Sequence, residues 1–188
     1  MKLDFFFFKQ TKINMLKLFI GPMFSGKTTL LLSRVERYKI GGKKCLVIKY
    51  EKDDRYDNLH VCSHTKLKHE AMKTDLLQKL DERIMQSDYD VILIDEIQFF
   101  KDASYICNHW AKHKIVEVYG LNGDFQQKPF DQISLLIPYA DSIQHLTAID
   151  RDNGIEAPFT IRTSTHEEQE VIGGENIYKA VSRENLTI

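Results

Sequence analysis

Apolar positions in this chain come in short dense runs, separated by amphipathic or polar stretches. MLKLFI (15–20) is the first run, and it stops at Gly21, which predicts a strand. After a glycine-bounded loop, Leu31, Leu32, Val35 and Tyr38 recur at helical spacing. Residues 28–40 are therefore expected to form a helix, stopped by Gly41-Gly42. KCLVIKYE (44–51) is apolar almost throughout, the pattern of a strand covered on both faces. The polar DDRYDN follows, then HVCSHT, read as a short strand, and residues 68–80, read as a helix. DVILIDE (90–96) is the strongest strand pattern in the chain. Residues 102–113 are expected to be a helix, and KIVEVYGLNG (114–123) a strand running into a turn. Beyond a stretch holding Pro129 and Pro138 comes SIQHLTAI (142–149), and the remainder reads as polar and irregular. Strands alternating with helices through Ile149 predict an α/β fold, an open and mainly parallel sheet flanked by helices.

Composition narrows the function classes. A chain of 188 residues can bury one domain-sized core. Lys plus Arg number 26 against 27 Asp plus Glu, so the basic excess of a nucleic-acid binder is missing. Cys45, Cys62 and Cys107 are scattered with no CxxC pair, which suits neither a disulfide framework nor a zinc knuckle and fits a reducing compartment. No apolar run approaches the ~18 residues of a membrane span. The start carries Phe5 to Phe8 but lacks a signal-peptide pattern. It is read as an extension expected to be disordered, with Met15 as a candidate internal start. His109 and His113 lie four apart on an expected helix, and His60, Cys62 and His64 are close in sequence. Without further ligands in sequence they are read as solvated or packed side chains.

Gly21-Pro22-Met23-Phe24-Ser25-Gly26-Lys27-Thr28 matches G-x4-G-K-[ST] in full. In such a loop, glycines let backbone N–H groups converge on phosphate oxygens, and the following helix adds partial positive charge. The lysine reaches the β and γ phosphates and the hydroxyl ligates Mg2+. Asp95 ends an apolar strand, the place of a second Mg2+ ligand. Glu96 comes next and is expected on the opposite face of that strand. A carboxylate there can act as general base: on water it makes an ATPase, on an alcohol a kinase. The N-K-x-D motif of GTPases is absent from the sequence.

GPMFSGKT, YEKDDRY, DEIQFF, NGDFQQKPF and EVIGGENIY occur in this order. Together they closely resemble the type II thymidine kinase family, the cytosolic thymidine kinases of animals, many bacteria and poxviruses, from about Leu16 to about Asn185. The resemblance implies a P-loop NTPase-like domain over 15–149, preceded by the 1–14 extension. A small lasso subdomain over 150–188 would close the nucleoside site. It implies transfer of the ATP γ-phosphate to the 5′-hydroxyl of thymidine or deoxyuridine, giving dTMP in nucleotide salvage. Residues Gly21 to Thr28 would hold the ATP phosphates, with Lys27 reaching the transferring group. Thr28 and Asp95 would hold Mg2+, Glu96 would accept the hydroxyl proton, and Arg55 would stabilise charge on the phosphate. Asp53 matches a family acid near the reacting centre. Met23 would face the thymine, walled by Phe99, Leu121, Phe125 and Phe130. By spacing alone these aromatics read as ordinary core packing, and it is the resemblance that assigns them to the pocket. Backbone at Val171, Ile172, Gly173 and Gly174 would read the polar edge of the base, Tyr178 would close over it, and Arg162 would support the lasso. A cytoplasmic homotetramer inhibited by dTTP is also implied, with no nucleic-acid or membrane partner.

The chain departs from the family in one place of consequence. Most members bind a structural zinc through two CxxC pairs. Here those pairs fall on DRDN and SREN, leaving Asp150, Asn153, Ser182 and Asn185. Oxygen donors of this kind suit tetrahedral structural zinc poorly, so no zinc is expected. The lasso must then rely on packing or hydrogen bonds, or stay mobile until thymidine binds. Asn122 stands where the family usually has Asp, a mild change. Two alternatives remain: a catalytically weak nucleotide-binding homologue, and a P-loop ATPase of another class.

Overall fold

The computed structural model describes residues 14–53, 60–62, 68–163 and 177–186. A six-stranded sheet is its centre, built from β1 (Met15–Gly21), β2 (Cys45–Tyr50), β5 (Met72–Thr74), β6 (Val91–Ile94), β7 (Ile115–Leu121) and β8 (Ser142–His145). The strands lie in the order β5-β2-β6-β7-β1-β8, and every neighbouring pair is parallel. Two further strands, β3 (His60–Cys62) and β4 (Lys68–Glu70), pair with each other.

Alternation along the strands feeds two cores. On β6, Ile92 and Ile94 join the larger cluster, whereas Val91 and Leu93 join the smaller. Helix α1 (Lys27–Ile40) covers the smaller one with Leu31, Leu32 and Val35. Helices α2 (Asp81–Gln86), α3 (Ala103–Ala111) and α4 (Asp131–Leu136) cover the larger, led by the fully buried Trp110. The Trp110 indole N–H donates to Asp81 at 2.7 Å, which seats α2 on α3. This is the mainly parallel α/β architecture expected from the alternating pattern. Beyond it lie two small hairpins, β9 (Ala148–Ile149) with β10 (Glu156–Ala157) and β11 (Phe159–Arg162) with β12 (Tyr178–Val181). No helix among the described residues is long and apolar enough to cross a membrane.

Two expectations are corrected. Residues 68–80 are not a helix. They form β4, β5 and a single 3-10 turn, Leu77–Leu80. Met72 pairs with Ile48 across the sheet, and the Asp102 carboxylate accepts the N–H groups of Leu77 and Gln78 at 3.2 and 2.8 Å. Long-range pairing thus overrides local helical spacing. The described part of the segment after Ile149 is not irregular, since much of it pairs in the two hairpins. The six-residue helices α2 and α4 are too short to show a period in the sequence.

One charged residue sits inside the smaller core. Glu117, on β7, is fully buried and accepts hydrogen bonds from Arg34, from the Tyr38 hydroxyl at 2.6 Å and from the Tyr119 hydroxyl at 2.9 Å. Burial alone would raise its pKa, but the Arg34 hydrogen bond and the two tyrosines outweigh it and hold the carboxyl below the ordinary range. Burial and Glu117 push Tyr38 up to about 12. Arg34→Met is expected to cost about 3 kcal/mol at neutral pH, because it leaves a buried carboxylate with only Lys17, 3.7 Å away, as its cation. The folded pKa is depressed, so the contribution is present above the unfolded value and fades as pH falls through the folded one. Denaturant unfolding of parent and variant at neutral and acid pH should show the gap shrinking on acidification.

Candidate active site

The phosphate loop leaves β1 at Gly21 and enters α1 at Lys27. Gly26 has φ 78°, a left-handed conformation open to glycine at no steric cost. Phe24 also takes positive φ, 63°, and its ring packs on Ala148, Ala157 and Ala180 of the C-terminal hairpins. The N–H of the neighbouring Met23 donates to Thr160 Oγ1 at 2.9 Å. The loop is therefore seated on the hairpins at two successive residues. Lys27 is largely buried, and its ammonium donates to the carbonyls of Gly21 and Pro22 at 3.1 and 2.6 Å. The predicted phosphate loop thus runs from the last residue of β1, Gly21, into the first two residues of α1, Lys27 and Thr28.

The two acids follow β6. The Thr28 hydroxyl donates to Asp95 Oδ2 at 3.1 Å, joining the start of α1 to the end of β6. Asp95 N–H still donates to Ile48 O, so the acid is held by the sheet. Glu96 does not continue the strand to its opposite face, as alternation would have it. It adopts φ 51°, ψ 48° and starts a 3-10 turn, Ile97–Phe99. Left-handed geometry costs a non-glycine residue roughly 1–2 kcal/mol, and such outliers cluster at functional sites. The Gln98 amide donates to Glu96 Oε2 at 2.7 Å, and Gln98 Oε1 accepts the Leu121 N–H at 3.2 Å. Gln98, itself buried, thus ties the acid to the end of β7. Gly120 makes room for this. A Cβ there would stand 2.7 Å from Ile97 Cγ2 and 2.9 Å from Gln98 Oε1.

Other predicted residues are fixed by aromatic and cation contacts. Phe99 lies against Tyr50, ring centroids 5.4 Å apart. The Arg162 guanidinium sits 3.9 Å from the Phe125 ring centroid and 5.2 Å from that of Tyr178. It donates to the Tyr178 hydroxyl at 2.8 Å. Arg162 therefore joins the loop after β7 to β12. That loop is shaped by Asp124, whose Oδ1 accepts the N–H groups of Gln126 and Lys128, both at 2.8 Å. Met23 and Asp53 are buried. Phe130 belongs to the larger core beside Ile133 and Leu136, and Leu121 packs on the same cluster. These two read structurally as the base of the wall rather than its surface. Arg55, Val171, Ile172, Gly173 and Gly174 lie outside the described residues.

Sequence reasoning did not single out Gln98 or Thr160. Gln98 is a buried amide two residues from the candidate base, a spacing that could have flagged it. Thr160 carries no local signal. His109 and His113 stack edge to face, centroids 6.1 Å apart, with His109 Nε2 3.6 Å from Asp81. Among the described residues no group of three or more His, Cys, Asp or Glu is placed to hold a metal.

Comparison with known proteins gives the family. The family model described as Thymidine kinase matches residues 14–186. The thymidine kinase of Raccoon poxvirus is 44% identical over 169 residues, 89% of this chain and 94% of that protein. That of Rabbit fibroma virus is 44% identical over 167 residues, covering 88% and 92%. That of Vaccinia virus (strain Ankara) is 43% identical over 169 residues, covering 89% and 94%. The chain belongs to the thymidine kinase family.

Proposed function

We infer that this protein is an ATP-dependent thymidine kinase, forming dTMP from thymidine. The observation that carries the reading is the meeting of Thr28 with Asp95, with Glu96 next in the chain and held by Gln98, in a member of this family. Glu96 accepts the 5′-hydroxyl proton as that oxygen attacks the γ-phosphorus, and the bond to the ADP oxygen breaks. Lys27 and the loop amides of residues 21–28 hold the phosphates, and Arg55 stabilises charge on the group in transfer. A hydroxyl beside a carboxylate is a hard oxygen donor pair that suits Mg2+, so Thr28 and Asp95 are the residues to hold it. The ion would neutralise charge on the phosphates. Met23, Phe99, Phe125 and Tyr178 form the thymine pocket over Leu121 and Phe130, the backbone of 171–174 reads the polar edge of the base, and Asp53 lies near the reacting centre.

The protein works in the cytoplasm as a homotetramer, with dTTP as feedback inhibitor. Support for assembly comes from β8, an edge strand whose four residues are all exposed and which offers a ladder for pairing. ADP release measured with and without nucleoside tests the reading. Release that requires thymidine or deoxyuridine is expected. Release at one rate regardless of nucleoside would favour a P-loop ATPase instead. Gln98→Leu is expected to lower kcat about 10- to 100-fold by letting the base drift, with the thymidine KM little changed. Steady-state kinetics on the variant checks it.

A further inference from the structure

We propose that Asp150 is a positioning residue for the nucleoside site: its buried carboxylate, doing what a metal would otherwise do, fastens together the chain segments on either side of residues 164–176. The proposal rests on the reading of that stretch as the part that grips thymidine. Asp150 directly follows β9 and is 0% exposed. Its Oδ2 accepts the Ser182 N–H at 2.7 Å and the Asn185 side-chain amide at 2.9 Å, while Oδ1 accepts the Asp152 N–H at 3.0 Å. Asn153 adds a bond from its amide to Ser182 Oγ at 2.9 Å and accepts the Ile155 N–H at 3.2 Å. The Asp150 N–H donates to Ile155 O, and its carbonyl accepts the Gly154 N–H, both at 2.8 Å.

All four positions where relatives of this kind place zinc ligands are thus joined in one network. Three N–H donors aim their hydrogens at the Asp150 carboxylate, the centre of the network. A metal site needs lone pairs aimed inward, so this donor set does not fit zinc. The fastening matters because the apolar centre of the subdomain is small among the described residues. Its apolar centre is Ala148, Ala157 and Ala180 with the Phe24 ring against them, and alanines bury little surface. The Lys179–Asp152 ion pair is exposed and adds little. Ser182 immediately follows β12, whose other end is Tyr178. A loosened Ser182 therefore lets Tyr178, and Arg162 bound to it, shift relative to Phe125.

The test is Asp150→Asn in the full chain, alongside a variant with Asp150→Cys, Asn153→Cys, Ser182→Cys and Asn185→Cys supplied with zinc. The amide of the single variant keeps the shape but turns an N–H toward other N–H groups. The thymidine KM is expected to rise about tenfold, with the ATP KM and kcat within about twofold of the parent. The four-cysteine variant is expected to take up one zinc and return the thymidine KM to the parent value. An unchanged thymidine KM in Asp150→Asn would overturn the proposal. So would a parallel loss in kcat and both KM values that zinc does not repair. Amide exchange at Ser182 and Asp152 reads the fastening without activity. Faster exchange in Asp150→Asn is expected, and unchanged exchange overturns the proposal even if the parent phosphorylates no nucleoside, a result that by itself refutes only the kinase reading.

Discussion

Glu96→Gln is expected to lower dTMP formation by about 10²-fold or more while leaving ATP binding intact. Glutamine preserves the size of the side chain and can still meet Gln98 after an amide rotation. What it cannot do is take the proton from the 5′-hydroxyl. The Lys27 bonds to the Gly21 and Pro22 carbonyls do not involve the substituted atoms, so the phosphate cradle should survive. The left-handed backbone at this residue, φ 51°, is retained as well, because it is imposed by the turn that Gly120 and Gln98 shape. Pre-steady-state product formation, with ATP affinity measured separately by equilibrium titration, separates the two effects. A variant with near-parental turnover would remove Glu96 as the base.

Lys27→Ala is expected to cost about 10²- to 10³-fold in kcat/KM for ATP, the scale of losing one charged donor from a preorganised anion site. Two losses combine in this variant. The ammonium no longer meets phosphate, and the carbonyls of Gly21 and Pro22 lose the donor that now ties them together. The second loss reaches further, because Met23 and Phe24 of the same loop seat it on Thr160 and on the alanine cluster. Thymidine binding measured without ATP should weaken by no more than a few-fold, on the order of one neutral hydrogen bond. Intact ATP efficiency in Lys27→Ala would contradict the assignment of this loop as the phosphate site.

Local constraints were the legible part of this protein. A phosphate loop needs its glycines, lysine and hydroxyl at fixed spacing, so residues 21–28 could be read directly. The apolar run before Asp95 marked β6 and the acid after it for the same reason. Alternation of strand and helix likewise predicted the parallel sheet. Residues 68–80 were misread because Leu76, Leu77 and Leu80 mimic helical spacing, while the forces that decide the segment come from Ile48 and Asp102 far along the chain. Glu96 was expected on a strand face because nothing local announces that pairing stops at Ile94. The network around Asp150 was illegible for a different reason. A surface turn and a buried hub are made of the same polar residue types, and only the return of Ser182 and Asn185 to Asp150 distinguishes them.

The measurement closest to the central claim is the fate of the γ-phosphate. The purified chain, given γ-labelled ATP, Mg2+ and thymidine, should place the label on the 5′-oxygen of thymidine, with one ADP formed for each dTMP. Label recovered only as free phosphate, at a rate that thymidine does not change, would contradict the account.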